Sequence, residues 1–173
     1  MTLDIVRLLL FPALMAFAAV SDLFTMTISN RISLLLVTGF VLLAAFGGMS
    51  AHAIVMHLGA GLAVLALTFT CFAMGWIGGG DAKLAAATAL WFGFEHLVLY
   101  LAYASVAGGI LTLLLLQWRQ WPLPALMSSQ PWLLRLHEKD GGVPYGIALA
   151  IGALLIYPET EWMKVVDLSR FTV

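Results

Sequence analysis

The sequence predicts an all-α, polytopic membrane protein with about six transmembrane helices. Two observations carry this. The 173 residues are 62% hydrophobic and only 10% charged, with mean hydropathy +1.02, whereas soluble domains sit near half apolar and a quarter charged. The apolar residues also come in long unbroken runs. A membrane β-barrel needs alternating apolar and polar positions, so a barrel is excluded. The net charge of -1 offers no basic patch, which excludes nucleic acid as a partner. The chain reads as one transmembrane domain over 1–173, without repeats or low-complexity segments.

Taken in order, residues 3–20 form a first span whose charges, Asp4 and Arg7, lie near its start. Ala16-Phe17-Ala18 resembles a signal-peptidase site, but the positive segment that should precede it is thin, so a span is expected. Residues 21–31 are a polar connector and 32–46 a short second span. Gly47-Gly48-Met49-Ser50 makes a turn. His52 and His57 are five residues apart, which places them on different helix faces; they are expected at the interface rather than on a metal. A third span covers about 53–76. Cys71 is the only cysteine, so no intrachain disulfide or paired-cysteine zinc site exists; it is expected to be a small buried residue.

Residues 82–118 carry little charge apart from Glu95 and His96. The run is too long for one span and barely long enough for two. A turn at 93–96 leaves a fourth helix of about a dozen residues, near 20 Å, against a hydrocarbon layer of about 30 Å. The start of that helix is therefore expected below headgroup level, inside the protein. Residues 97–118 form the fifth span. Residues 119–142 hold Trp121, Trp132, three prolines and several charges, a mixture suited to a membrane interface, with a flat helix over 131–137. Residues 143–157 are the sixth span, with Pro144 tolerable in its first turn, and 159–173 an aqueous tail. Arg31, Lys83, Arg119, Arg135 and Lys139 fall on one side; Arg7, Lys164 and Arg170 fall on the other. The positive-inside rule puts the first set in the cytoplasm.

The sharpest polar interruption is Gly78-Gly79-Gly80-Asp81-Ala82-Lys83. An ionisable residue at a membrane helix marks a functional site by default. The glycines are expected to allow close approach and unusual backbone dihedrals. The stretch lacks the G-K-[ST] ending of a nucleotide loop. The span order sets Asp81 and Asp22 at the same membrane depth. Two close carboxylates share a proton and titrate as a unit. One then takes a proton from water while the other donates to a peptide carbonyl. The plainer alternatives are that Asp22 ends a helix, that the glycines stop one, and that Asp81 pairs with Lys83 or caps the fourth helix. Two other function classes stay open: an ion- or proton-coupled transporter using the same acids, and a structural subunit of a secretion machine.

Gly78-Gly79-Gly80-Asp81-Ala82-Lys83-Leu84 resembles the GxGDxKL motif of the type IV prepilin peptidases, membrane aspartic proteases of the GxGD group. The stretch from Asp22 to Ile28-Ser29-Asn30 resembles their other catalytic motif, and residues 143–153 are similar to their last helix. The resemblance covers residues 1 to about 158. It departs at Phe24 and Met26, where basic or polar residues are common. Larger members carry a cytoplasmic domain between the first two spans and N-methylate the new terminus. Here that connector is short, so the resemblance is to the form serving Flp/Tad-type pili, and methyltransferase activity is not implied. The resemblance implies a bacterial inner-membrane endopeptidase without a cofactor or metal, removing the basic leader of a prepilin after a glycine at the cytoplasmic face. Asp22 and Asp81 are then catalytic, and Gly78, Gly80, Lys83 and Asn30 bind substrate or support them. Lys83 is expected to orient Asp81 or bind substrate, and Asn30 to be structural. Ala85, Ala86, Gly108 and Gly109 are candidate contacts for the substrate helix. The partners implied are the prepilin, the lipid bilayer and other pilus-assembly membrane proteins.

Overall fold

The computed structural model describes residues 2–124, 128–164 and 166. Among them every regular element is helical: α1 (Thr2–Thr25), α2 (Asn30–Phe46), α3 (Ala51–Ala73), α4 (Gly79–Trp118), α5 (Pro131–His137), α6 (Tyr145–Ile156), a 3-10 turn (Tyr157–Glu159) and α7 (Glu161–Lys164). Helices α1, α3 and α4 are long and apolar enough to cross a membrane, and α2 is a shorter apolar helix, as is the stretch Tyr145–Glu159. Their outer faces carry exposed Phe17, Leu34, Leu62, Val98 and Leu113, a surface suited to lipid and not to water. The chain is a helical membrane protein.

Local chemistry sets the helix starts. The Ser29 hydroxyl accepts from the Arg31 amide at 3.3 Å and caps α2; Ser50 does the same for the Ala53 amide at 3.2 Å and caps α3. Helix α1 runs past residue 20, where the first span was expected to end. Asp22 is therefore held inside a helix, one turn before its terminus, and the connector shrinks to residues 26–29. Met26 closes α1 in the left-handed region, at φ 55°.

A straight helix as long as α4 would measure about 60 Å, twice the hydrocarbon thickness. It breaks at Gly93, where φ is 60° and ψ -174°, a backbone shape that a side chain disfavours. The two arms fold back on each other. The rings of Phe92 and Tyr100 lie 5.1 Å apart, and Asp81 and Ala85 share a cavity wall with Leu101, Ala104 and Ser105. The expected turn is thus present, at the first residue of its predicted range.

The end of the first arm has carbonyls without helical donors, and two distant side chains supply them. His57 Nδ1 donates to the Leu90 carbonyl at 2.8 Å, and the Trp162 indole donates to the Trp91 carbonyl at 2.7 Å. Their rings join Phe11, Phe40, Trp91 and Tyr157 in one aromatic cluster. Two expectations change here. His57 is a structural hydrogen-bond donor, not an interfacial residue. The start of the supposed aqueous tail is core, with Trp162 4% exposed. Residues 167–173, including Arg170, lie outside the described residues. Cys71 is half-buried, more open than expected.

Candidate active site

Asp22 and Asp81 arrive at the same end of the bundle on different helices. The Asp22 side chain is buried in α1, and the Gly146 amide at the start of α6 donates to its Oδ2 at 2.7 Å. Asp81 stands in the first turn of α4. Its carboxylate reaches back to the Gly78 amide, satisfying a helix-start donor in the manner of a capping box. Asp81 is thus not the N-cap of α4, which is Gly78; it stands three residues further on, takes the Gly78 amide, and faces a cavity of about 170 Å³ lined by Thr68, Ser105 and Tyr145. The charge of Asp22 acts on Asp81.

The glycines work by removing side chains. Gly78 has an extended backbone, at φ -71° and ψ 146°, and neither Gly79 nor Gly80 has a positive φ, so the expected unusual dihedrals are not used. A Cβ on Gly80 would lie 3.1 Å from Ile28 Cβ and 3.4 Å from the Ile28 amide. A Cβ on Gly78 would lie 2.8 Å from Asp81 Oδ2. The 26–29 loop thus presses against the start of α4. Ile28 also reaches Gly146, where a Cβ would meet its Cδ1 at 2.8 Å. One residue touches both segments that hold the acids.

Lys83 does not pair with Asp81. It donates to Asn30 Oδ1 at 2.9 Å, tying the start of α4 to the start of α2. Two residues along a helix is about 200°, so Lys83 and Asp81 leave α4 on opposite faces. Ala85, Ala86 and Gly108 are buried: Ala85 lies in the wall of the Asp81 cavity, and Gly108 lies under the Tyr145 ring, 2.8 Å from where its Cβ would be. Gly109 faces open space.

Sequence reasoning missed Gly146 and the 119–142 connector. The Arg119 guanidinium is buried and donates to the carbonyls of Leu136, Gly141 and Gly142 at 2.8, 2.9 and 2.7 Å. It staples the connector and is not a free interfacial charge. Arg135 donates to the carbonyls of Phe24 and Thr25 at 3.3 Å, at the negative end of α1. Trp132 packs edge-on against Phe24 with centroids 4.9 Å apart. The expected flat helix, α5, therefore lies over the end of the Asp22 helix. Residues 125–127 of this connector are outside the described residues. A Trp-rich stretch next to an acid-bearing helix end was the available signal.

A helical membrane protein that brings two acids from separate helices to one end of its bundle, one of them lining a cavity, belongs to the class of candidate intramembrane hydrolases. Residues 9–113, more than half of the chain and spanning both acids, match the profile of the type IV leader peptidase family. The chain belongs to that family. No curated protein and no solved structure matches it.

Proposed function

We propose that the chain is a membrane-embedded aspartic endopeptidase that removes the basic leader of type IV prepilins of the Flp/Tad type, cutting after a glycine at the cytoplasmic face of the bacterial inner membrane. Asp22 and Asp81 are its catalytic pair. The observation that carries this is the meeting of the two acid-bearing segments through Ile28, Gly80 and Gly146, in a chain of the leader peptidase family. Counting the two arms of α4 separately, with α1, α2, α3 and α6, makes six spans. Arg31, Lys83, Arg119 and Arg135 gather at the end with the acids, while Arg7 and Lys164 sit at the other, which supports a cytoplasmic active site.

In the proposed cycle, one carboxylate takes a proton from water as the oxygen attacks the scissile carbonyl. The other, protonated, donates to the carbonyl oxygen, giving a gem-diol. The first then returns its proton to the amide nitrogen as the C–N bond breaks and the second recovers its own. The Gly146 amide holds Asp22 in one orientation, and Gly78 holds Asp81. Pilus-assembly membrane proteins are the expected neighbours.

Purified protein incubated with a prepilin should yield the shortened pilin. Asp22→Asn and Asp81→Asn should each lower cleavage at least about a hundredfold, the low end of what one acid–base group contributes, while the protein still accumulates. Full processing by both single variants would overturn the assignment. Ion flux in proteoliposomes, lost in these variants and without any cleavage, would support a transporter instead.

A further inference from the structure

A second concavity lies on the other face of α4. It is a groove of about 560 Å³ between α2, α3 and α4, with Leu34, Val37, Leu62, Leu65 and Leu90 among its apolar lining. Arg31, Asn30 and Lys83 stand in its wall where α2 and α4 begin. Arg31 and Lys83 make no ion pair among the described residues; Lys83 is held only by the neutral Asn30. From Lys83 to Leu90 the groove follows α4 for about 10 Å.

We propose that this groove is a binding site for an anionic phospholipid, with the phosphate between Arg31 and Lys83 and one acyl chain along the leucines. Charge decides the occupant. Two uncompensated cations above an apolar trough complement a negative headgroup on a hydrocarbon tail. They repel a basic leader peptide, and the groove faces away from Asp81, since the first arm of α4 lines it with Lys83, Ala86, Ala87 and Leu90 but lines the Asp81 cavity with Asp81 and Ala85. A substrate helix is therefore the weaker fit. Exposed Leu34 and Leu62 on the rim open the groove to the bilayer. Arg31 follows the Asp22 loop and Lys83 follows Asp81, so one bound lipid would bridge both acid-bearing segments. The site stands independently of the peptidase assignment.

The test is lipid binding by the purified full chain in detergent, followed by native mass spectrometry and thermal denaturation, with phosphatidylglycerol, phosphatidylcholine and inorganic phosphate as separate probes. Phosphatidylglycerol should bind and raise the denaturation temperature more than phosphatidylcholine. Arg31→Gln should weaken phosphatidylglycerol binding about fivefold, the effect of one basic contact. Arg31→Lys should restore it. Val37→Trp, which fills the trough from an exposed position, should lower lipid uptake with Arg31 intact. Equal binding of the two lipids, or Arg31→Gln binding like the wild type, overturns the headgroup site. A shift from inorganic phosphate equal to that from the lipid, unaffected by Val37→Trp, overturns the acyl trough. Displacement of the lipid by an apolar prepilin-helix peptide while phosphatidylcholine competes equally well would reassign the groove to the substrate.

Discussion

The Gly146→Ala substitution tests how the candidate site is held. A Cβ at this position would lie 2.8 Å from Asp22 Oδ2, 2.8 Å from Ile28 Cδ1 and 3.0 Å from Asp22 Cβ. The two 2.8 Å approaches are closer than packed atoms allow, so something must shift, and both neighbours, Asp22 and Ile28, are buried. The carboxylate must move, and the 2.7 Å amide hydrogen bond lengthens or breaks. Overpacking costs about 1–3 kcal/mol, and a hydrogen bond to a charged group is worth about 1.5–3 kcal/mol. A displacement of about 1 Å at reacting groups lowers rate about a hundredfold. Prepilin cleavage should therefore fall by that factor, with thermal stability reduced by about 2 kcal/mol and helix content unchanged. The assay is time-resolved appearance of the shortened pilin alongside a denaturation curve. A variant that folds and cleaves within a few-fold of the wild type would refute the coupling of Gly146 to Asp22. Loss of all accumulation would be resolved by Ile28→Ala in the same background, which opens one of the two clashes and should recover folding.

His57→Ala removes the donor to the Leu90 carbonyl and should cost about 1–3 kcal/mol; Trp162→Phe should do the same at the Trp91 carbonyl, and denaturation midpoints measure both. Met26→Gly should stabilise the protein by about 1 kcal/mol, because Met26 holds a left-handed backbone at the end of α1 that glycine adopts without strain. Arg119→Ala strips three carbonyls of their donor, so limited proteolysis should cut within 119–142 much faster than in the wild type.

The helix order was legible because membrane spans are set by composition and length, both readable along the chain. The break in α4 was legible too: a run of that length cannot stay in one bilayer crossing, and Gly93 precedes Glu95 and His96, the polar pair in its middle. The exact site of the turn was less so, because the carbonyls it exposes are satisfied by His57 and Trp162, which lie far away in sequence and carry no local signal. His57, five residues from His52, read as a residue of the membrane interface, and Trp162 sat in a stretch of charges that read as solvated. Burial of a ring among other rings is decided by packing, not by its immediate neighbours.

Asp22 and Asp81 stood out as candidates by chemistry alone, since an acid beside a membrane helix is costly. The sequence by itself determined the class of fold, the membership in a family and which polar residues deserved scrutiny, because these depend on composition, periodicity and short motifs. Only the tertiary structure decided what surrounds each of them. It set the Gly146 amide on Asp22, turned Lys83 away to Asn30, and closed the connector over α1 through Arg119 and Arg135. Each of these contacts joins residues that the chain keeps far apart, and the backbone donors and acceptors involved are common to every residue. Their choice of partner therefore exists only once the helices have packed.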